Sequence, residues 1–113
     1  MKLIKNDTAN EFCPIQGVYM SLVGDGEDMT FIKIRIDPNS ILPLHAHPNE
    51  QIGTCLEGTG WMTSNGVQYE INQGDTWTIP SGEEHMFKAG DTQIKIIEVW
   101  SPPREDYRTQ AKQ

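Results

Sequence analysis

Between Thr30 and Ile36 the chain alternates, with Thr30, Ile32, Ile34 and Ile36 on one side and Phe31, Lys33 and Arg35 on the other. A period of two is the signature of a strand with one buried face. Further runs rich in β-branched and aromatic residues predict strands at Val18 to Val23, Glu50 to Leu56, Trp61 to Ser64, Val67 to Ile71, Thr76 to Ile79, His85 to Ala89 and Gln93 to Trp100. The joints between them carry turn chemistry. Asn65-Gly66 is a two-residue hairpin signal, and Gly24-Asp25-Gly26, Asp37-Pro38-Asn39, Gln73-Gly74-Asp75 and Gly90-Asp91 punctuate the rest. No segment sustains helical periodicity, no repeat is evident and no low-complexity linker divides the chain. Short strands at this spacing predict an all-β barrel or sandwich. The polar tail after Ser101 begins with Pro102-Pro103 and is expected to be fixed near its start and loose by Gln113.

Composition narrows the function classes. A chain of 113 residues suits one domain, 1–113, with one core. Its net charge of −7 and lack of a basic stripe argue against a nucleic-acid partner. No apolar run approaches a membrane span, and the start, Met1 to Asp7, lacks a signal-peptide core, so the expected location is cytoplasmic. Cys13 and Cys55 have no CxxC spacing, which argues against a thiolate zinc site. Cys55 reads as a small buried residue.

All three histidines of the chain fall into one pattern. His45 and His47 are separated by a single residue, which on a strand puts both imidazoles on one side, about 7 Å apart, where they can converge on one metal ion. His85 follows the series Gly74, Pro80, Ser81, Gly82. Gln51 shares odd-numbered parity with His45 and His47, whereas Glu50 faces the other way. A turn or bulge at Pro48-Asn49 would exchange the two, so both stay open as the fourth ligand, with Gln51 favoured.

This spacing resembles the two motifs of the cupin superfamily: Gly, five residues, His-x-His, three or four residues, Glu, six residues, Gly; then Gly, five residues, Pro-x-Gly, two residues, His, three residues, Asn. The first motif runs from Asn39, in place of its glycine, to Gly58, and counting back six residues from Gly58 lands on Gln51. The second departs only at its final Asn, where Ala89 stands. The resemblance covers about residues 30–104, leaving 105–113 as the tail. It implies a single-domain double-stranded β-helix, the cupin or jelly-roll barrel, with one divalent transition metal on His45, His47, Gln51 and His85. The plainer alternative is a metal-free barrel. Imidazole suits Zn, Ni, Cu and Fe alike, and Mn also fits. A neutral amide in place of a carboxylate favours Lewis-acid chemistry over oxygen-activating iron.

The stretch from Ile94 to Tyr107 carries the remaining chemistry. Glu98 and Trp100 share parity with Ile94 and Ile96, so isoleucines facing the lumen would bring a carboxylate and an indole with them. A carboxylate in an apolar cavity can hold a proton near neutrality and serve as acid or base. With reversed parity Ile97 and Val99 face inward and Glu98 pairs on the surface with Lys95 or Arg35. Arg104, after two prolines, is either a preset fork for a carboxylate or the partner of Glu105 or a neighbouring strand.

His-x-His-Pro-x-Glu-Gln at 45–51, combined with acid-x-aromatic-Ser-Pro-Pro-Arg-Glu-Asp-aromatic at 98–107, is similar to the small cupins of the KdgF type. Those proteins linearise 4,5-unsaturated monouronates from pectin and alginate breakdown into open-chain 4-deoxy-5-keto uronates. The resemblance implies metal ligation by His45, His47, Gln51 and His85, proton transfer by Glu98, an aromatic wall at Trp100 and carboxylate binding by Arg104. Glu98 stands where that family has Asp, and Trp100 where it has Phe. The alternatives are a non-catalytic, metal-containing binding module for sugars or other small molecules, and an oxygen-dependent dioxygenase. A homodimer is also expected, because the strand-like segment Gly17 to Val23 lies outside both motifs and a small open barrel has edges to cover.

Overall fold

The structure, a computed structural model, describes residues 1–6 and 10–112; Gln113, the expected loose end of the tail, lies outside them. Among the described residues the chain forms β1 (Glu11–Ile15), β2 (Val18–Asp25), β3 (Thr30–Ile36), β4 (Ile41–His45), β5 (Glu50–Glu57), β6 (Gly60–Ser64), β7 (Val67–Ile71), β8 (Thr76–Ile79), β9 (His85–Ala89), β10 (Ile94–Ser101) and α1 (Glu105–Ala111). Every strand pair is antiparallel. One sheet runs β1-β2-β3-β10-β5-β8 and the other β4-β9-β6-β7, the two layers of a β-sandwich.

Alternation and register together arrange the interior in rows. In β3 and β10 every second residue is buried: Thr30, Ile32, Ile34 and Ile36, and Ile94, Ile96, Glu98 and Trp100. Directly paired residues point to the same face. The larger sheet therefore presents Ile34, Ile96 and Cys55 in one inward row, then Ile32, Glu98, Gly53 and Trp77, then Thr30, Trp100, Gln51 and Ile79. The smaller sheet presents Ala89, Gly60 and Ile71, then Leu42, Phe87, Met62 and Tyr69, then His45, His85, Ser64 and Val67. Both sheets thus pass from apolar to polar along their strands. The apolar end is the core, where Val18, Ile36 and Ile94 are fully buried, each worth about 2 kcal/mol of transfer free energy. The polar end is where chemistry can be housed.

Three local expectations change. The tail is not simply a polar extension, because α1 forms over it and buries Tyr107 against Phe12 and Trp100, with ring centroids 6.0 and 5.6 Å away. Glu105 and Asp106 lie in the helix's first turn, where the positive end of its dipole favours acids. β1 is absent from the sequence reading and β4 was anticipated only as the strand carrying His45 and His47, which it ends at His45; both are edge strands. The segment beginning at Gly17 supplies β2, which lies between β1 and β3 and is itself no edge. At the tip of the β6–β7 hairpin Asn65 and Gly66 both take positive φ, 49° and 76°, as a mirror-image turn requires. Asn39, standing where the motif has glycine, has φ 62°. No helix among the described residues is long and apolar enough to cross a membrane.

Candidate metal centre

His45 closes β4, His85 opens β9 as its register partner, and His47 lies beyond the end of β4 in the connection to β5. The two motif-one histidines are therefore not neighbours on one strand face, as their spacing implied. They meet because the connection folds back. Asn49 fixes that fold: it is buried, and its side-chain amide donates to the Pro102 carbonyl at 2.6 Å. One ligand atom from each histidine lies within 4.8 Å of the others, the only such cluster among the described residues. Ring centroids are 5.6 Å apart for His45 and His47, 4.2 Å for His45 and His85, and 5.1 Å for His47 and His85.

Each imidazole is oriented by a backbone carbonyl two residues away. His45 Nδ1 meets Pro43 O at 2.7 Å, His47 Nδ1 meets Asn49 O at 3.0 Å and His85 Nδ1 meets Glu83 O at 2.9 Å. A carbonyl only accepts, so Nδ1 carries the hydrogen in each ring and the neutral tautomer keeps its lone pair on Nε2. The buried Nε2 atoms of His47 and His85 have no hydrogen-bond partner. Burial, reinforced by Arg104, lowers the pKa of His47, and burial takes His85 down to about 4. Unprotonated, converging imidazoles tied through their other nitrogen are what a divalent transition metal requires, so the residues present fit such an ion.

Gln51 is buried on the inward face and Glu50 is exposed on the outward one. The glutamine amide hydrogen-bonds Glu98 Oε2, while its own oxygen accepts the Trp100 indole N–H at 3.0 Å. Glu98 is 5 % exposed. The inward parity therefore holds, and the surface pairing weighed for Glu98 does not occur, since Lys95 pairs with Glu57 and Arg35 with Glu11. Burial raises the Glu98 pKa, opposed by its hydrogen bonds to Trp77 and Gln51 and by the charge of Arg104. The Trp77 indole donates to the same Oε2 at 3.0 Å. Both donors converge on one oxygen, which leaves Oε1 as the atom to take or release a proton.

Arg104 lines the same lumen with a side chain only 11 % exposed. Its fork already holds a carboxylate, with Nε and Nη2 donating to Asp106 at 3.0 and 2.8 Å. Glu105, the partner considered from sequence, instead pairs with Arg108. The guanidinium stacks over Tyr107, 4.0 Å from its centroid, and Nη1 is buried without a partner. A single donor, rather than the open fork expected, therefore remains for a ligand.

Trp77 was not singled out from sequence, and Asp106 and Tyr107 entered only as the end of the 98–107 motif, without roles of their own. The one advance signal for Trp77 was Gly53, a glycine inside a strand, which commonly marks a close approach. A Cβ there would lie 2.6 Å from Trp77 Nε1 and 2.7 Å from Glu98 Cγ.

The cupin domain profile matches residues 32–100. Among curated proteins, the chain is 32 % identical to H2HPP isomerase of Bacillus subtilis over 72 residues, 63 % of this chain and 30 % of that one. It is 33 % identical to the HTH-type transcriptional regulator PuuR of Escherichia coli over 92 residues, 77 % of this chain and 50 % of that one. The chain thus spans half or less of the length of these relatives. Of solved structures, KdgF from Halomonas sp. superposes with a TM-score of 0.88 at 21 % identity, covering 94 % of this chain and 99 % of that one, a likeness of fold.

Proposed function

The chain belongs to the cupin domain family, and from that membership and the geometry of its lumen we propose a metal-dependent enzyme that moves a proton on a small sugar acid, linearising a 4,5-unsaturated uronate. The observation that carries this reading is Glu98: a buried carboxylate, with a raised pKa, lining the same lumen as the three histidines. A divalent ion on His45, His47, His85 and Gln51 would supply Lewis acidity toward substrate oxygens. In the linearisation the anomeric hydroxyl loses its proton as the C1–O5 bond breaks to leave an aldehyde and an enolate, and the enolate takes a proton at C4 to give the 5-keto acid. Glu98 carries that proton on Oε1. Arg104 Nη1 meets the substrate carboxylate, and Asp106 holds the guanidinium in place for it. Trp100 forms a wall of the lumen and orients Gln51.

The test follows the ultraviolet absorbance of the conjugated double bond in an unsaturated monouronate, with metal-loaded protein against spontaneous ring-opening. Faster loss of absorbance, abolished by chelation, is expected. A rate equal to the spontaneous one would overturn the uronate assignment.

A second reading, a cupin that binds its small molecule without turnover, is favoured by the likeness to the regulator PuuR. Saturable, stoichiometric uronate binding with no turnover would select it.

A further inference from the structure

The lumen beside the histidines is tight in this structure, so a sugar acid fills it only if lining side chains move. Water centres can occupy about 20 Å³ there, roughly what one or two waters need. By the same measure a groove on the open side of the sandwich offers about 420 Å³. It lies between β7 and β8, the edge strands of the two sheets. Tyr69, paired with buried Met62, and Trp77, paired with Gly53, both face inward from those edges and line it. Met62 and Trp77 line groove and lumen alike. A partition of side chains therefore separates the two spaces, and on its inner side the Trp77 indole is tied to Glu98.

The lining of the groove is selective. Tyr69 is 53 % exposed, so its ring is available from solvent. Three carboxylates line it, Glu70, Asp75 and Glu83, and the Ser64 hydroxyl donates to Glu83 at 2.6 Å. No Lys, Arg or His lines it. Carboxylates without a cation repel an anion. Aromatic rings accept the C–H faces of a saccharide, and carboxylates accept its hydroxyl groups two at a time.

We propose that the β7–β8 groove is a binding site for an uncharged, hydroxyl-rich ring, a neutral saccharide, held between Tyr69 and Trp77 next to the metal lumen. The choice of a saccharide rather than an amine rests on the sugar-acid reading. The existence of the site does not. It gives the protein two adjoining compartments of opposite preference: Arg104 offers a cationic donor inside, and the groove accepts neutral hydroxyls outside.

The experiment is an ¹⁵N NMR titration of the full metal-loaded chain with methyl β-galactoside, galacturonate and ethylammonium in turn. The Trp77 indole N–H signal is assigned by its loss in Trp77→Phe. Methyl β-galactoside should shift that signal and the Tyr69 amide while leaving the indole of Trp61, which is exposed on β6. Tyr69→Ala, at an exposed position, should weaken this binding about tenfold, the scale of losing one aromatic face. No shift with the galactoside, shifts spread to Trp61, or tighter binding of ethylammonium would each overturn the proposal. Galactoside binding in a protein that does not turn over uronate keeps the groove and removes the enzyme reading. Uronate turnover in a protein blind to the galactoside does the reverse.

Discussion

Gln51 donates its side-chain amide to Glu98 from the neighbouring strand, one register step further along. That bond couples the residue best placed to join the three histidines with the residue best placed to carry a proton. It also fixes which way the glutamine faces, since Nε2 is committed to Glu98 and Oε1 to the Trp100 indole and to whatever lies beyond it.

Glu98→Gln should preserve the fold and the metal yet lower uronate turnover by about a hundredfold or more, the usual scale for a positioned acid or base. Steady-state rates on metal-loaded protein decide this. Full activity in the variant would remove Glu98 from proton transfer while leaving the metal assignment standing.

Elemental analysis should find about one transition metal per chain, sharply reduced by His45→Ala or His85→Ala, because each removes one of three converging donors. Gln51→Ala should weaken the ion more than Glu50→Ala, since Gln51 is buried on the lumen face and Glu50 is exposed. Undiminished loading in both histidine variants would mean that the ion binds elsewhere.

Gly53→Ala places a methyl 2.6 Å from the Trp77 indole nitrogen and 2.7 Å from Glu98 Cγ. Overpacking of this kind costs about 1–3 kcal/mol. A lower melting temperature and a displaced Trp77 indole N–H resonance are expected at unchanged metal content. A variant as stable as the parent, with that resonance unmoved, would contradict the close approach across β5.

In chelator-treated protein, stability should fall as the pH drops from 6.5 to about 4. His85 has a folded pKa of about 4 against an ordinary 6.5, so in this window the unfolded chain takes up a proton that the folded one refuses. The limiting cost is on the order of 3 kcal/mol. His47 has the same sign. Glu98 has the opposite one: its raised pKa means that its contribution is lost as the pH rises through the folded value. Thermal melts of parent, His85→Gln and Glu98→Gln separate them. His85→Gln should flatten the acid side, and an equally steep fall in that variant would locate the acid sensitivity elsewhere.

We propose that the expected homodimer uses the outward face of β3, β10 and β5, where Phe31, Val99 and Ile52 stand in one row and Phe31 and Ile52 are 40 % and 42 % exposed. Sedimentation should show a dimer that Ile52→Lys converts to monomer. A monomeric parent would end the idea.

Strands with a clear two-residue period or a β-rich run were legible: Thr30–Ile36, Val67–Ile71, Thr76–Ile79 and His85–Ala89 have the predicted bounds. The missed strand β1 and the missed start of β4 each contain a proline, Pro14 and Pro43, which an edge tolerates and a pattern-reader discounts. The helix was missed because it is seven residues long with a single buried anchor, Tyr107, too short to show a period. At the site, ligand types could be read from spacing. Which face Glu98 takes could not, since β10 carries aliphatic residues on both sides and only its register against β3 and β5 decides. Trp77 was invisible for a related reason: its partner lies two strands away, across Gly53.

The three carbonyls that orient the imidazoles belong to residues two positions from each histidine, at Pro43, Asn49 and Glu83. Ring orientation is thus written into three short local segments and borrows nothing from the lumen-facing side chains of β5, β8 and β10. The lumen-facing side chains can therefore change without turning the three rings, with Gln51, bonded to Glu98 and Trp100, the one donor that such a change would reach. Such partial modularity is a physical route by which one scaffold passes from one reaction to another while its three imidazoles keep their setting.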